Sequence, residues 1–168
     1  MLHHVSFSAH DPEHVAKGLA GLLDARALAA PCPPFPAGSW FVCEGDAAGT
    51  LLEVLPWGHV QERGRSAHGL DASMRERTST HLLLRTPRSS GEIRSMAAEL
   101  GWECVDANAG FFQFHKLWVE GAFLVELMTP AQSEGYVLHF GAAGIGSLDG
   151  KLRELERALR HEPPAASP

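Results

Sequence analysis

Cysteines are scarce in this sequence, and those present show no regular spacing. Cys32, Cys43 and Cys104 are odd in number and form no C-x-x-C pair. A small secreted domain stabilised by disulfides normally carries an even set of closely spaced cysteines. The cysteine pattern therefore favours a reducing compartment, and we expect a cytoplasmic protein.

A long apolar run is also missing. No stretch of the sequence approaches the roughly 20 apolar residues that a transmembrane helix needs. The alanine- and leucine-rich stretch at 18–30 contains Asp24 and Arg26, and it lacks the basic region that precedes the apolar part of a signal peptide. We therefore predict a protein with no membrane partner.

Basic residues are outnumbered by acidic ones. The 14 Lys and Arg against 20 Asp and Glu give a net charge of −6 and a pI near 5.9. The basic residues form no long cluster, which argues against a surface for nucleic acid. The remaining composition, 45% hydrophobic and 20% charged over 168 residues, is typical of a globular chain with a sizeable core.

One pattern of predicted elements occurs twice along the chain. HHVSFSAHDP predicts a strand that leads into a helix, with Asp11 as N-cap and Pro12 in the first turn. THLLLRTPRSSGEI repeats this order in the second half, with Ser89 or Ser90 as the cap and Gly101 at the helix end. Three strand candidates follow each helix: ARALAA, SWFVCEG and TLLEVLP, then WECVDA, FFQFHKLWVE and AFLVELMTP. We therefore predict an α+β fold of two tandem βαβββ modules.

The repeat divides the chain into four parts. The first module spans residues 1–56, and the second spans 80–130. The polar segment at 57–79 joins them and is either a lid over a pocket or a solvated connector. A C-terminal extension at 131–168 contains an amphipathic helix at 148–161, whose leucine stripe must be covered by the body of the protein or by a second subunit. The stripe consists of Leu148, Leu152, Leu155 and Leu159.

Two glutamates interrupt otherwise apolar strands. Glu53 lies within TLLEVLP and Glu126 within FLVELMTP, where an unpartnered carboxylate is costly to bury. His4 and His81 occupy matching positions on the first strand of each module. Because side chains alternate across a strand, all four residues are predicted on the face turned away from the helices. Two imidazoles and two carboxylates form a mixed ligand set for a divalent ion such as Ni²⁺, Zn²⁺, Co²⁺, Fe²⁺ or Mn²⁺.

A metal held by these four residues would leave positions open for a substrate with adjacent oxygens. Arg85 is predicted on the same face as His81 and is a candidate to bind a carboxylate or phosphate of that substrate, the alternative being a structural salt bridge. A buried histidine–glutamate network without a metal is the alternative for the four ligand candidates, although its desolvation penalty opposes it.

The paired βαβββ plan resembles the vicinal oxygen chelate superfamily, the group of glyoxalases, bleomycin resistance proteins and extradiol dioxygenases. HHVSFSAHDP, LLEVLP and LVELMTP carry the resemblance, which covers roughly residues 2–130. It implies curved mixed sheets around a central cavity for metal and substrate. It also implies metal ligands on the first and last strands of each module, which fall here on His4, Glu53, His81 and Glu126.

The order His-Glu-His-Glu is most similar to metal-dependent glyoxalase I, an isomerising lyase that acts on a thiol adduct of an α-oxoaldehyde. This resemblance implies proton transfer next to a carbonyl, with Glu126 as the catalytic base. An extradiol-type dioxygenase is an alternative, although such enzymes typically use two histidines and one glutamate and leave Glu53 without a role. A non-catalytic binding or resistance protein is another. The sequence leaves open whether the modules pair within one chain or in a homodimer.

Overall fold

The computed structural model describes residues 3–32, 34–47, 49–61, 68–71 and 80–161. Both predicted modules are present with the expected order of elements. The first consists of β1 (His4–Ala9), α1 (Pro12–Leu23), β2 (Arg26–Ala29), β3 (Trp40–Cys43) and β4 (Leu51–Pro56). A hairpin of β5 (His59–Gln61) and β6 (His68–Leu70) follows. The second module consists of β7 (His81–Arg85), α2 (Ser90–Glu99), β8 (Glu103–Asn108), β9 (Gln113–Val119) and β10 (Phe123–Met128). The chain continues with α3 (Pro130–Phe140), a 3₁₀ turn (Ile145–Ser147) and α4 (Leu148–His161).

The two modules form sheets of the same topology. The strand orders are β1-β4-β3-β2 and β7-β10-β9-β8. In each sheet the first strand of the module runs parallel to its last strand, and the other pairs are antiparallel. The prediction of an α+β fold with two mixed four-stranded sheets is therefore confirmed.

Side-chain caps fix where the module helices begin. The Asp11 carboxylate accepts a hydrogen bond from the His14 N–H at 3.0 Å, with Pro12 in the first turn of α1. Ser89 caps α2 through a capping box with Glu92, in which each side chain binds the main chain of the other. These bonds satisfy main-chain donors that a helix leaves unpaired at its start, so the caps define where α1 and α2 begin.

The core combines apolar residues of both modules. The buried set on α1 packs with alternate residues of β3 and β4 and continues into α2, β9 and β10. A buried side chain such as Leu127 therefore belongs to one core that contains residues of both modules. The largest fully buried apolar side chains are Val15, Leu19, Leu22, Val42, Val54, Ile93, Leu117, Val119, Val125 and Leu127.

The modules of one chain meet through the faces of their sheets that carry the helices. Phe7 of β1 and Phe123 of β10 stack with ring centroids 4.3 Å apart, and both lie on those faces. The Thr86 hydroxyl donates to the Leu22 carbonyl at the end of α1, and the Arg88 guanidinium donates to the Gly21 carbonyl at 2.9 Å. The opposite faces of both sheets are therefore turned away from this interface.

A carboxylate from the second module binds the start of α1. Glu120, in the turn between β9 and β10, accepts hydrogen bonds from the main-chain N–H groups of His10 and Asp11 at 2.6 and 2.7 Å. Two N–H donors on one carboxylate form a charge-assisted pair at the positive end of the helix dipole. This contact joins segments that are 110 residues apart in the sequence.

Replacing Glu120 by Gln preserves the length of the side chain and removes its charge. We expect the free energy of unfolding to fall by about 1–2 kcal/mol, because one amide oxygen replaces two charged acceptors at a partly exposed site. Urea denaturation measures the change. Glu103→Gln, at an exposed position on β8, is the matched control and should stay within about 0.5 kcal/mol of the unmodified protein. Equal losses in the two variants would contradict the role of Glu120.

Two elements differ from the sequence analysis. The intermodule segment, predicted as a lid or connector, contains the β5–β6 hairpin, and its residues 62–67 and 72–79 lie outside the described part of the chain. α3 was not predicted. It packs an aromatic cluster in which Tyr136 and Phe140 stack at 4.7 Å and Phe112 meets Tyr136 edge-on at 5.0 Å.

The C-terminal helix α4 has the bounds that the leucine pattern predicts, Leu148–His161. Its Leu155 side chain lies against Gly110, where a Cβ would come within 2.9 Å of the Leu155 Cδ1 atom. The body of the protein therefore covers this part of the leucine stripe. Among the residues described, no helix combines the length and the apolar character needed to cross a bilayer.

Candidate metal centre

His4 and Glu53 lie on neighbouring parallel strands of the first sheet. His4 is opposite Leu51 of β4, and Glu53 lies two residues further along that strand. Ser6 is directly opposite Glu53, and its hydroxyl donates a hydrogen bond to the Glu53 carboxylate. His4 is exposed and Glu53 is half-buried. We refer to His4 and Glu53 as the first half-site.

His81 and Glu126 have the same arrangement in the second sheet. His81 is opposite Leu124 of β10, and Glu126 again lies two residues further along. The His81 Nε2 and Glu126 Oε2 atoms are 3.7 Å apart. Glu126 is 8% exposed, whereas the His81 side chain remains accessible. We refer to His81 and Glu126 as the second half-site.

The two half-sites differ in the residue that faces each glutamate. Ser6 faces Glu53, and Leu83 holds the equivalent position opposite Glu126. A hydroxyl that donates to a carboxylate fixes one of its oxygens, and a leucine supplies no such bond. The register therefore equips Glu53 with a hydrogen-bond donor that Glu126 lacks at the corresponding position.

Each half-site lies on the sheet face opposite its module helix, α1 or α2, and no three of the four residues come together within one chain. The helix-covered faces are marked by Leu52 and Val54 in the first module and by Val125 and Leu127 in the second, all buried. The glutamates alternate with these residues and point to the other side. Within the ranges that the structure describes, no three His, Cys, Asp or Glu side chains come close enough together to hold a metal ion.

Arg85 lies at the end of β7, opposite Met128 of β10, and is exposed. It is four residues after His81 on the same strand, so both side chains are on one face of the sheet. A guanidinium four residues along the strand from His81 can bind an anionic group of a molecule held at the second half-site. Its role in substrate binding stays a prediction.

The chemistry of the half-sites fits a divalent metal. Each offers one imidazole nitrogen and one carboxylate, which are common ligands of zinc, nickel, manganese and iron. The carboxylate of Glu126 is nearly buried on an apolar strand, with the His81 imidazole as its ion-pair partner in the described part of the chain. A cation would compensate the cost of burying that charge.

A second group of polar side chains was missed by the sequence analysis, which gives His115 no role. The His115 Nδ1 atom is 2.7 Å from Asp106 Oδ1, and its Nε2 atom is 2.9 Å from the Ser90 hydroxyl. This hydrogen bond from His115 lowers the pKa of the Asp106 carboxyl, and the positive charge of the Arg94 guanidinium acts in the same direction. The alternation of side chains along β9 predicts that His115 lies on the helix-covered face. It does not indicate that Asp106 and Ser90 are its hydrogen-bond partners.

Comparison with known proteins identifies the fold. No protein-family model and no curated protein matches the sequence. The fosfomycin resistance protein FosX of Listeria monocytogenes matches with a TM-score of 0.53 and 15% identity, over 80% of this chain and 94% of that chain. A Glu-to-Gln variant of that FosX, solved with Mn(II) and 1S,2S-dihydroxypropylphosphonic acid, has a TM-score of 0.52 and 16% identity, over 79% and 93%. A glyoxalase family protein of Bacillus anthracis has a TM-score of 0.51 and 13% identity, over 77% and 93%.

Proposed function

We propose that this chain, whose fold is that of the vicinal oxygen chelate superfamily, is a divalent-metal-dependent enzyme acting on a small molecule with adjacent oxygens. One observation carries the proposal: both modules present a histidine and a glutamate at the same register offset, on the sheet face opposite α1 in the first module and α2 in the second. If the histidine and glutamate of each sheet had only a structural role, their recurrence at the same offset would be unexplained. A metal-binding unit that is present twice in the chain accounts for it.

The four residues His4, Glu53, His81 and Glu126 would hold the ion, two from each half-site. Two carboxylates balance the charge of a divalent cation and leave an overall neutral centre. When bound, the ion polarises a carbonyl or hydroxyl oxygen of the substrate and makes an adjacent C–H or O–H group more acidic.

Glu126 is the residue that we assign to proton transfer. Ser6 restrains Glu53 by a hydrogen bond, while Leu83 gives Glu126 no such restraint. A carboxylate without a hydroxyl donor on the opposite strand can accept a proton at Oε2 from one carbon of the substrate and return it to the next. The low exposure of Glu126 keeps bulk water from competing for that proton.

The complete site is proposed to form between two copies of the chain. Within one chain the modules meet through their helix-covered faces, as the Phe7–Phe123 stack illustrates, so the half-sites are directed outward. A two-fold symmetric dimer brings the first half-site of each copy to the second half-site of the other. Such a homodimer contains two identical sites.

The favoured reaction is glyoxalase-type isomerisation of a hemithioacetal, since two carboxylates beside two imidazoles suit proton transfer next to a carbonyl. A phosphonate-directed reaction is the second candidate. Arg85 supports it, because a guanidinium binds a phosphonate well and lies on the face of the second half-site. Several solved structures with this fold are fosfomycin resistance proteins, one of them with a dihydroxypropylphosphonic acid bound.

Metal content tests the proposal most directly. We expect protein purified without chelator or added metal to contain about one transition-metal ion per chain by elemental analysis. Removing the ion with EDTA should abolish turnover of the methylglyoxal–glutathione hemithioacetal, and Ni²⁺, Zn²⁺ or Mn²⁺ should restore it.

Controls separate the alternatives. His4→Ala should lose the metal, whereas His139→Ala, which removes a histidine that packs against Phe111, should keep it. Iron content together with oxygen consumption on a catechol would favour the dioxygenase. Turnover of fosfomycin without turnover of the hemithioacetal would favour the phosphonate-directed reaction. Full activity in metal-free protein would exclude the proposal.

A further inference from the structure

Ser90, His115 and Asp106 form a continuous chain of hydrogen bonds on the helix-covered side of the second sheet. Ser90 is the first residue of α2, His115 lies in β9 and Asp106 lies in β8. His115 is opposite Leu127 of β10, on the face away from Glu126. The group is therefore separate from the second half-site, on the other face of the same sheet, and from the first half-site, on the other sheet.

The hydrogen bonds define the protonation pattern of His115. The Asp106 carboxylate is an acceptor, so the Nδ1 atom 2.7 Å away carries the proton. The Nε2 atom of the neutral ring then has a lone pair, and the Ser90 hydroxyl 2.9 Å away donates to it. This is the arrangement in which an imidazole acts as general base toward a serine.

The surrounding residues hold the chain in place. The His115 side chain is 2% exposed, so its ring orientation is fixed by packing. The Asp106 side chain is 67% exposed, and the Arg94 guanidinium binds both of its oxygens at 3.2 and 3.3 Å. Arg94 therefore restrains the exposed carboxylate in the position from which it orients His115.

A cavity gives small molecules access to the serine. It has a volume of about 310 Å³ and is lined by Ser90, Asp106 and His115, together with the amide side chains of Asn108, Gln113 and Gln132. Ser90 and Gly91 are the first two residues of α2, so their N–H groups have no carbonyl partner within the helix. N–H groups at this end of a helix favour negative charge, as develops on a carbonyl oxygen under attack.

We propose that Ser90, His115 and Asp106 constitute a second, metal-independent site that hydrolyses small carboxylic esters, with Ser90 as the nucleophile. Asn108, Gln113 and Gln132 make much of the cavity lining polar, which favours a short, polar acyl group over a long apolar one.

The reaction takes place in two steps. Ser90 Oγ bonds to the acyl carbon as its proton passes to His115 Nε2, and the alcohol leaves with that proton as its C–O bond breaks. Water then loses a proton to the same nitrogen and attacks the acyl-serine carbon. The ester bond to Ser90 breaks, which releases the carboxylic acid and restores the hydroxyl. Asp106 stays ionised throughout and stabilises the imidazolium.

Covalent labelling of the full-length protein, dialysed against EDTA, tests the proposal. We expect a fluorophosphonate probe to modify Ser90, as shown by mass spectrometry of tryptic peptides, and 4-nitrophenyl acetate to be hydrolysed faster than 4-nitrophenyl octanoate. Ser90→Ala should remove the label and reduce hydrolysis to the buffer rate. Ser95→Ala, which removes another hydroxyl of the same helix, should retain both.

Asp106→Asn addresses the role of the network without disturbing the core, because Asp106 is largely exposed. We expect hydrolysis to fall by about 10²-fold or more while circular dichroism remains unchanged, since the amide no longer fixes the imidazole tautomer. A label on other residues only, or unchanged hydrolysis in Ser90→Ala or Asp106→Asn, would show that the three residues have a structural role alone.

Discussion

Glu126→Gln is expected to lower turnover of the hemithioacetal by about 10²- to 10⁴-fold, the range associated with loss of a general base. The amide has nearly the shape of the carboxylate, but it cannot accept a proton at neutral pH. Leu83, opposite position 126, has no group that accepts a proton, and the neighbouring His81 is assigned to the metal. Steady-state kinetics on metal-reconstituted protein measure the effect, which should appear in kcat more than in KM.

Glu53→Gln provides the comparison that separates proton transfer from metal binding. Glu53 receives a hydrogen bond from Ser6 and is assigned as a fixed ligand, so its replacement should weaken Mn²⁺ or Ni²⁺ binding in calorimetric titrations more than Glu126→Gln does. Glu103→Gln, on the exposed part of β8, should leave both measurements unchanged. If Glu53→Gln lost turnover at saturating metal while Glu126→Gln kept it, the assignment of the base to Glu126 would be wrong.

Mixing two inactive variants is expected to restore activity if the site forms between chains. His4→Ala damages the first half-site and His81→Ala the second, so each variant alone should be inactive. In a mixed dimer, one site combines both damaged half-sites and the other combines both intact ones. With random pairing about half of the dimers are mixed, and about a quarter of all sites are then intact. Co-expression with two different affinity tags allows the mixed dimers to be isolated and assayed.

The matched control uses two changes in the same half-site. In a mixture of His4→Ala with Glu53→Ala, which removes the other ligand of that half-site altogether, every site of a mixed dimer lacks one ligand, so no activity should return. A site that formed within one chain would stay inactive in both mixtures. Isolated mixed dimers of His4→Ala and His81→Ala without activity would therefore contradict the intermolecular site.

The repeated module was accessible from the sequence because its signals are local. The alternation of apolar residues defines each strand face, and Asp11 and Ser89 bind main-chain groups within three residues of themselves. α3 was missed although Thr129 and Gln132 form a capping box, because Gly135 and a weak apolar period obscure the helix that follows. The hairpin of β5 and β6 was missed because its strands are short and polar.

The site was predictable only in part. Strand alternation assigns each ligand candidate to a sheet face, and the register adds that His4 and Glu53 stand at the same offset as His81 and Glu126. Whether the two half-sites meet depends on how one sheet packs against another, within a chain or between two chains. The order of residues along a single strand does not indicate that packing. The group around His115 depends on contacts across 9 and 25 residues between a helix and two strands, and no spacing in the sequence indicates it.

Both ends of α1 are bound by the second module. Glu120 accepts from the main chain at its start, and Thr86 and Arg88 donate to carbonyls at its end. The helix of the first module thus takes hydrogen-bond partners at both of its ends from the second module. Cutting the chain between the modules would leave those main-chain groups of α1 without these partners.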